Sequence, residues 1–146
     1  MTRPADTDIL DLLSALMHGM RRHTHTAVQT EGEGLGPMEA RCLNYFAHHD
    51  GHTQRDLVRH SGRDKAQIAR LVRALMERGL LVTTPDPDDA RSQQVHVTAE
   101  GRALQRRLQQ HRLKLERTLT QRLQGNEKAQ LLALLGRLRD AMPGAE

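Results

Sequence analysis

Between Arg63 and Arg73 the chain reads RDKAQIARLVR, and its polar side chains are of the types that recognise a polyanion. At the helical period Ala66, Gln67, Arg70 and Arg73 share one face, opposite Ile68, Leu71, Val72, Leu75 and Met76. The planar fork of Arg70 can pair bidentately with a guanine edge, and the amide of Gln67 with adenine. Lys65, Arg63 and Arg73 suit phosphate oxygens, as do the first-turn amides near Thr53 and Gln54. Farther along, Arg91 follows the turn-forming run PDPDDA, and an arginine on a projecting tip suits a narrow, electronegative minor groove. This is the chemistry of binding, not of bond making. No nucleophile motif, paired-carboxylate motif or phosphate-cradling glycine loop occurs, so an enzyme is not expected.

His48, His49, Asp50 and His52 are also chemistry-bearing types, but their spacing across a turn matches no dense zinc pattern. Cys42 is the only cysteine, which excludes an internal disulfide. It lies among apolar neighbours, with nothing close in sequence to lower its pKa. No metal or cofactor is expected, and a metal- or redox-responsive sensor stands as an alternative.

The elements that must position these side chains are mostly helical. The amphipathic helix over 64–78 is capped by Asp64 and ended by Gly79. Before it, Thr53 with Asp56 three residues later resembles a capping box opening a short helix, TQRDLVRH, that ends at Ser61 and Gly62. A short helix, a glycine-containing turn and a longer amphipathic helix make a helix-turn-helix. After it, Leu80 to Thr83 and Ser92 to Thr98 read as strands, with Val95 and Val97 alternating with Gln94 and His96, so that residues 83–97 form a hairpin wing.

Upstream, Ile9, Leu12, Leu13, Leu16, Met17 and Met20 predict a helix from about Asp6 to about Gln29, with Asp6 or Asp8 favouring its positive end. A glycine-rich loop over 30–36 and a helix starting at Pro37, with Leu43 and Phe46 facing inward, come next. Downstream, Thr98 caps a long helix reaching about Gln124. Asn126 then caps a last helix carrying Leu131, Leu132, Leu134, Leu135 and Leu138, which stops before Pro143. The fold class is therefore mainly α with a small β-hairpin wing. A winged helix-turn-helix DNA-binding part spans 35–100 and a helical dimerisation part spans 6–30 and 101–142, within one unit over 1–146. The first, fifth and sixth helices show leucine faces that a winged helix does not require, and a two-fold partner copy is the simplest cover.

Charge placement agrees with this division. The 146 residues carry a net charge of +4, with a local +4 over 53–78 and +6 over 102–124, against −3 over both 1–50 and 79–101. Basic blocks alternating with acidic ones suit a surface that meets a phosphate backbone in some places and avoids it in others. Only Tyr45 and Phe46 are aromatic, which argues against single-stranded nucleic acid, whose binders stack bases on rings. No apolar run approaches a membrane span and the N-terminus has no leader pattern, so the cytoplasm is the expected compartment.

The run from Asp56 to Leu104 resembles the MarR (multiple antibiotic resistance regulator) family of bacterial transcriptional regulators. It carries Asp89, Ala90 and Arg91 as the wing signature and Val97, Thr98, Ala99, Glu100 and Gly101 as the strand-to-helix junction. The resemblance extends from about Ile9 to Leu138. It implies a triangular homodimer, usually a repressor, in which the first, fifth and sixth helices interlock and two winged helices straddle a pseudo-palindromic operator. Asp89 would brace the wing and Arg91 enter the minor groove, while Lys65, Ala66, Gln67 and Arg70 face the major groove. It further implies release from DNA by a small effector, such as a phenolic or aromatic acid, in a pocket lined by residues such as His18, Arg22, Cys42, Phe46 and His111, with Arg22 pairing the carboxylate. Asp64, Ala66, Gln67 and Ala69 stand where family members often have small hydroxyl residues, so base preference does not transfer. A winged helix that binds protein instead of DNA is a further alternative.

Overall fold

The computed structural model describes residues 8–31 and 34–143. Its elements run α1 (Ile9–Glu31), α2 (Pro37–His48), α3 (Gln54–Ser61), α4 (Lys65–Glu77), β1 (Leu81–Pro85), β2 (Gln93–Val97), α5 (Ala99–Thr120) and α6 (Glu127–Asp140). This is the expected helical architecture with one antiparallel hairpin. The expected helix start at Asp6 lies outside the described residues.

The chain divides into two compact units within α5, one ending at Arg112 and one beginning at Leu113. In the first, Phe46, Leu43, Ile68, Leu75, Leu104, Val72 and Val95 are fully buried and form the centre of the core. Each such side chain contributes about 1.5–3 kcal/mol by leaving water, enough together to fix α2, α4 and the hairpin against one another. The apolar stripe of α1 behaves differently. Ile9, Leu12, Leu16, Met17 and Met20 are exposed, and only Ala27 and Val28 near the end of the helix are buried. The helix runs through Glu31, into the expected loop, as the Thr30 hydroxyl donates to the carbonyls of Thr26 and Ala27.

Local signals set the boundaries around α3 and α4. Both halves of the Thr53–Asp56 capping box are present: Asp56 N–H donates to Thr53 Oγ1 at 3.3 Å, and Thr53 N–H to Asp56 Oδ2 at 2.8 Å. The backbone hydrogen bond from Thr53 is the main reason that the Asp56 carboxyl is held below its ordinary range. Asp64 accepts from Gln67 N–H at 3.2 Å. At the other end of α4, Gly79 takes φ 72°, its N–H donates to Met76 O, and Leu80 N–H donates to Leu75 O, the paired bonds of a Schellman motif. Met76, expected on the buried stripe, lies at its edge and is 38% exposed.

In the hairpin Leu81 pairs with Val97 and Thr83 with Val95, so one face is buried while Val82, Thr84, Gln94 and His96 occupy the other. β1 continues to Pro85, past the expected end at Thr83, and β2 is one residue shorter than expected at each end. Thr98 caps α5 as anticipated, accepting from Gly101 N–H at 3.1 Å.

In the second unit α5 closes at Thr120, short of the expected Gln124. Leu123 N–H turns back to Thr120 O, and Gln124 N–H goes to the Glu127 carboxylate at 2.8 Å instead of into the helix. Asn126 stands at the N-cap position of α6 as expected, but its side chain makes no capping bond. Lys128 pairs with Glu116 at 2.8 Å, while Leu131, Leu132, Leu134, Leu135 and Leu138 of α6 are all exposed.

Candidate nucleic-acid interface

The recognition face is built by burying its opposite. Ile68, Val72 and Leu75 lock α4 into the core, leaving Lys65, Ala66, Arg70 and Arg73 exposed, with Gln67 and Arg63 half-buried beside them. Neighbouring cations are partly neutralised: Arg59 pairs with Asp56 at 2.9 Å, and Arg78 lies 3.9 Å from Glu39. Arg63, Lys65, Arg70 and Arg73 make no ion pair among the described residues. Their charge is therefore available to an anion. Thr53 and Gln54 sit at the positive end of α3, and Gln54, Ala69, Val72, Arg73, Met76 and Glu77 line a shallow open groove between α3 and α4.

The wing tip is braced by its own backbone. Asp89 Oδ1 accepts from Arg91 N–H at 2.9 Å, Ser92 N–H donates to Asp89 O at 2.9 Å, and Asp86 N–H donates to Ser92 O at 3.1 Å. Asp89 is thus a turn former, and Arg91 is left exposed at the tip. The ten residues expected to meet DNA lie at the N-cap and start of α3, on the turn after it, on α4 and on the wing, all within the first unit.

Two features of the wing were not expected. Gly51 N–H donates to Val95 O and Val95 N–H to His52 O, so residues 51–53 run as a third lane along β2, completed by a bridge between Thr53 and Gln94. Asp50 reaches His96 of β2, with Oδ1 3.1 Å from Nδ1, and lies 3.7 Å from the Arg102 guanidinium. The segment HDGHT is too short for a strand period to show, and a pair separated by 46 residues leaves no local mark.

The five suggested effector-pocket residues occupy different environments. His18 and Arg22 are exposed on α1, His111 is half-buried on α5, and Cys42 and Phe46 are shut into the core. His49, His52 and His60 gather around the Tyr45 ring, while His48 at the end of α2 makes no ring contact among the described residues. His48 and His49 turn Nδ1 to the carbonyls of Asn44 and Tyr45, and His52 Nδ1 lies 2.9 Å from Tyr45 Oη. His49 stacks on Tyr45 with centroids 4.4 Å apart, and His60 packs on the same ring at 5.0 Å.

Burial, assisted by the nearby Glu39 charge, pushes the Cys42 thiol up to about 12. At pH 8 only about one thiol in ten thousand is then ionised, and the thiolate is the species that reacts. Native protein incubated with iodoacetamide at pH 8 is expected to keep Cys42 unmodified, with prompt alkylation once guanidinium unfolds the chain. Rapid modification of folded protein, read by intact-mass spectrometry, would show that Cys42 is accessible.

Residues 33–92 match the sequence model of the MarR family. A Thauera aromatica protein, assigned provisionally as the transcriptional regulator of the hcr operon, is 29% identical over 93% of this chain and 89% of its own length. The fold matches Staphylococcus aureus MepR in its DNA complex, with a TM-score of 0.80 at 20% identity over 95% of this chain and 99% of that one. It also matches the Streptomyces coelicolor regulator PcaV, solved with its natural ligand, with a TM-score of 0.69 at 26% identity over 97% of this chain and 98% of the other.

Proposed function

We propose that this chain, a DNA-binding transcriptional regulator of the MarR family, works in the cytoplasm as a two-fold homodimer that represses transcription from a pseudo-palindromic operator. The observation that carries this reading is the pairing of an unneutralised cationic face on a core-locked α4 with Arg91 on a braced hairpin tip. In a dimer, Arg70 and Gln67 read base edges in the major groove of each half-site, with Ala66 beside them. Lys65, Arg63, Arg73 and the α3 start at Thr53 and Gln54 hold phosphates, and Arg91 enters the minor groove.

Exposed apolar faces support the dimer. Leu12, Leu16 and Met20 on α1 and Leu132, Leu135 and Leu138 on α6 would each stand in water without a partner, at a cost of about 25 cal/mol per Å². Release follows from a small aromatic or phenolic acid whose carboxylate pairs with exposed Arg22, by analogy with PcaV, which was solved with a ligand. A thiol-based switch is disfavoured by the burial of Cys42.

The direct test is selection of genomic DNA fragments by purified protein, with sedimentation at micromolar concentration in parallel. Enrichment of inverted repeats with half-sites about 10 bp apart is expected from a sedimenting dimer. A strict monomer, or retention of random duplex as strong as that of any selected fragment, would overturn the proposal.

A further inference from the structure

We infer that His96 and Asp50 form a strut that sets the pitch of the wing, acting on DNA through Arg91 without touching it. This rests on the DNA-binding reading above. Along the β2 edge, the bonds from Gly51 to Val95 and from Val95 to His52 attach the hairpin to the body of the unit. These edge bonds fall only at Gln94 and Val95, so they hold the strand near one point and resist tilting of the hairpin only weakly. The outer face of the hairpin adds a restraint to that of the buried Leu81, Val95 and Val97 on its inner face. There, His96 Nε2 lies 2.9 Å from Thr84 Oγ1 and ties the two strands together, while Nδ1 lies 3.1 Å from Asp50 Oδ1 and ties them to the turn before α3. Arg102 of α5 sits 3.7 Å from the same Asp50 oxygen, so the carboxylate is held from two elements. The ring rests over Gly51, where an added Cβ would come 3.7 Å from His96 Cε1.

Leverage makes this placement matter. From His96 to the end of β2 at Gln93 is about 10 Å of strand at roughly 3.3 Å per residue, and the turn carrying Arg91 lies beyond it. A tilt of about 10° at the base would move the tip by about 2 Å, a third of the roughly 6 Å width of a minor groove. His96 and Asp50 are therefore positioning residues, and what they contribute to affinity is limited to what Arg91 contributes.

A double-mutant cycle on the DNA duplex recovered by the selection above tests this. Asp50→Ala and His96→Ala are each expected to weaken binding about three- to tenfold, with no further loss when Arg91→Ala is already present. Asp50→Asn, which keeps an oxygen for the His96 N–H, should recover most of the loss. Asp50 is 55% exposed, so its variants carry the cycle even if His96→Ala lowers the unfolding midpoint. Losses that add to that of Arg91→Ala would overturn the strut. So would unchanged binding by both variants when Arg91→Ala does weaken it. An Arg91→Ala variant that binds as tightly as the parent would remove the wing contact itself, and the strut with it.

Discussion

Gly101→Ala is expected to destabilise the protein by about 3 kcal/mol, against the ordinary preference of a helix for alanine over glycine. An added Cβ would collide with the Leu80 carbonyl oxygen and lie only 2.8 Å from Val97 Cγ1. Neither neighbour can give way cheaply. Leu80 O already accepts from Thr98 N–H at 3.1 Å, and the adjacent Gly79 O accepts from Thr98 Oγ1 at 2.6 Å. The start of β1, the end of β2 and the first turn of α5 are thus stitched together, and one turn farther along α5 Leu104 is fixed in the core. Relief requires α5 to back away and uncover Val97 and Leu104, outweighing the roughly 1 kcal/mol that alanine gains in a helix. For a chain of this size the unfolding midpoint should fall by about 10 °C. Ala103→Gly, at an exposed position of the same helix, is the control. Helix propensity alone ranks it as the harmful change and Gly101→Ala as the helpful one, whereas the packing here makes Gly101→Ala the worse of the two. If thermal unfolding finds Gly101→Ala neutral, the close approach between α5 and the base of the wing is not real.

The same junction shows what the sequence could and could not reveal. Caps and chain reversals are local chemistry, satisfied within three or four residues. For that reason Thr53 with Asp56, Asp64 at the start of α4, and Gly79 after it are legible in the sequence. The polar face of α4 was legible too, since periodicity states which side is buried once a helix is granted. Where the outcome depends on distant neighbours, the sequence carries no local sign of it. Met76 fits the stripe by spacing yet is 38% exposed, because the groove beside α3 leaves the edge of that stripe uncovered. Asn126 is a good capping type at the right position yet makes no capping bond, and α5 closes early where Gln124 N–H turns to the Glu127 carboxylate. Asp50 and His96 are unremarkable residues in their own segments, and only the fold brings them to 3.1 Å. The candidate pocket residues rested on family resemblance alone, without spacing or periodicity to place them.

Arg70→Ala should cause the largest loss of specific DNA binding of any single substitution on the α4 face. A bidentate arginine–guanine pair is worth about 1–3 kcal/mol, and the proposed symmetric dimer would present two, so operator affinity should fall by about 2–6 kcal/mol, or roughly thirtyfold to twenty-thousandfold. Folding should be untouched, since Arg70 is exposed and makes no ion pair among the described residues. Arg91→Ala should cost less and show a different signature. A cation lost from groove or phosphate lowers the salt dependence of binding by about one per copy, and weakens operator and random duplex more evenly. Lysine substitutions separate the two roles. Arg91→Lys keeps the charge at the wing tip and should bind nearly as well, whereas Arg70→Lys keeps the charge but loses the planar fork, so it should retain random-duplex affinity while losing preference for the operator. Fluorescence anisotropy with both duplexes across a salt series distinguishes these outcomes. If Arg70→Ala lowers operator and random affinity equally, α4 contributes charge alone and sequence must be read elsewhere. If it lowers neither, this face of α4 does not meet DNA.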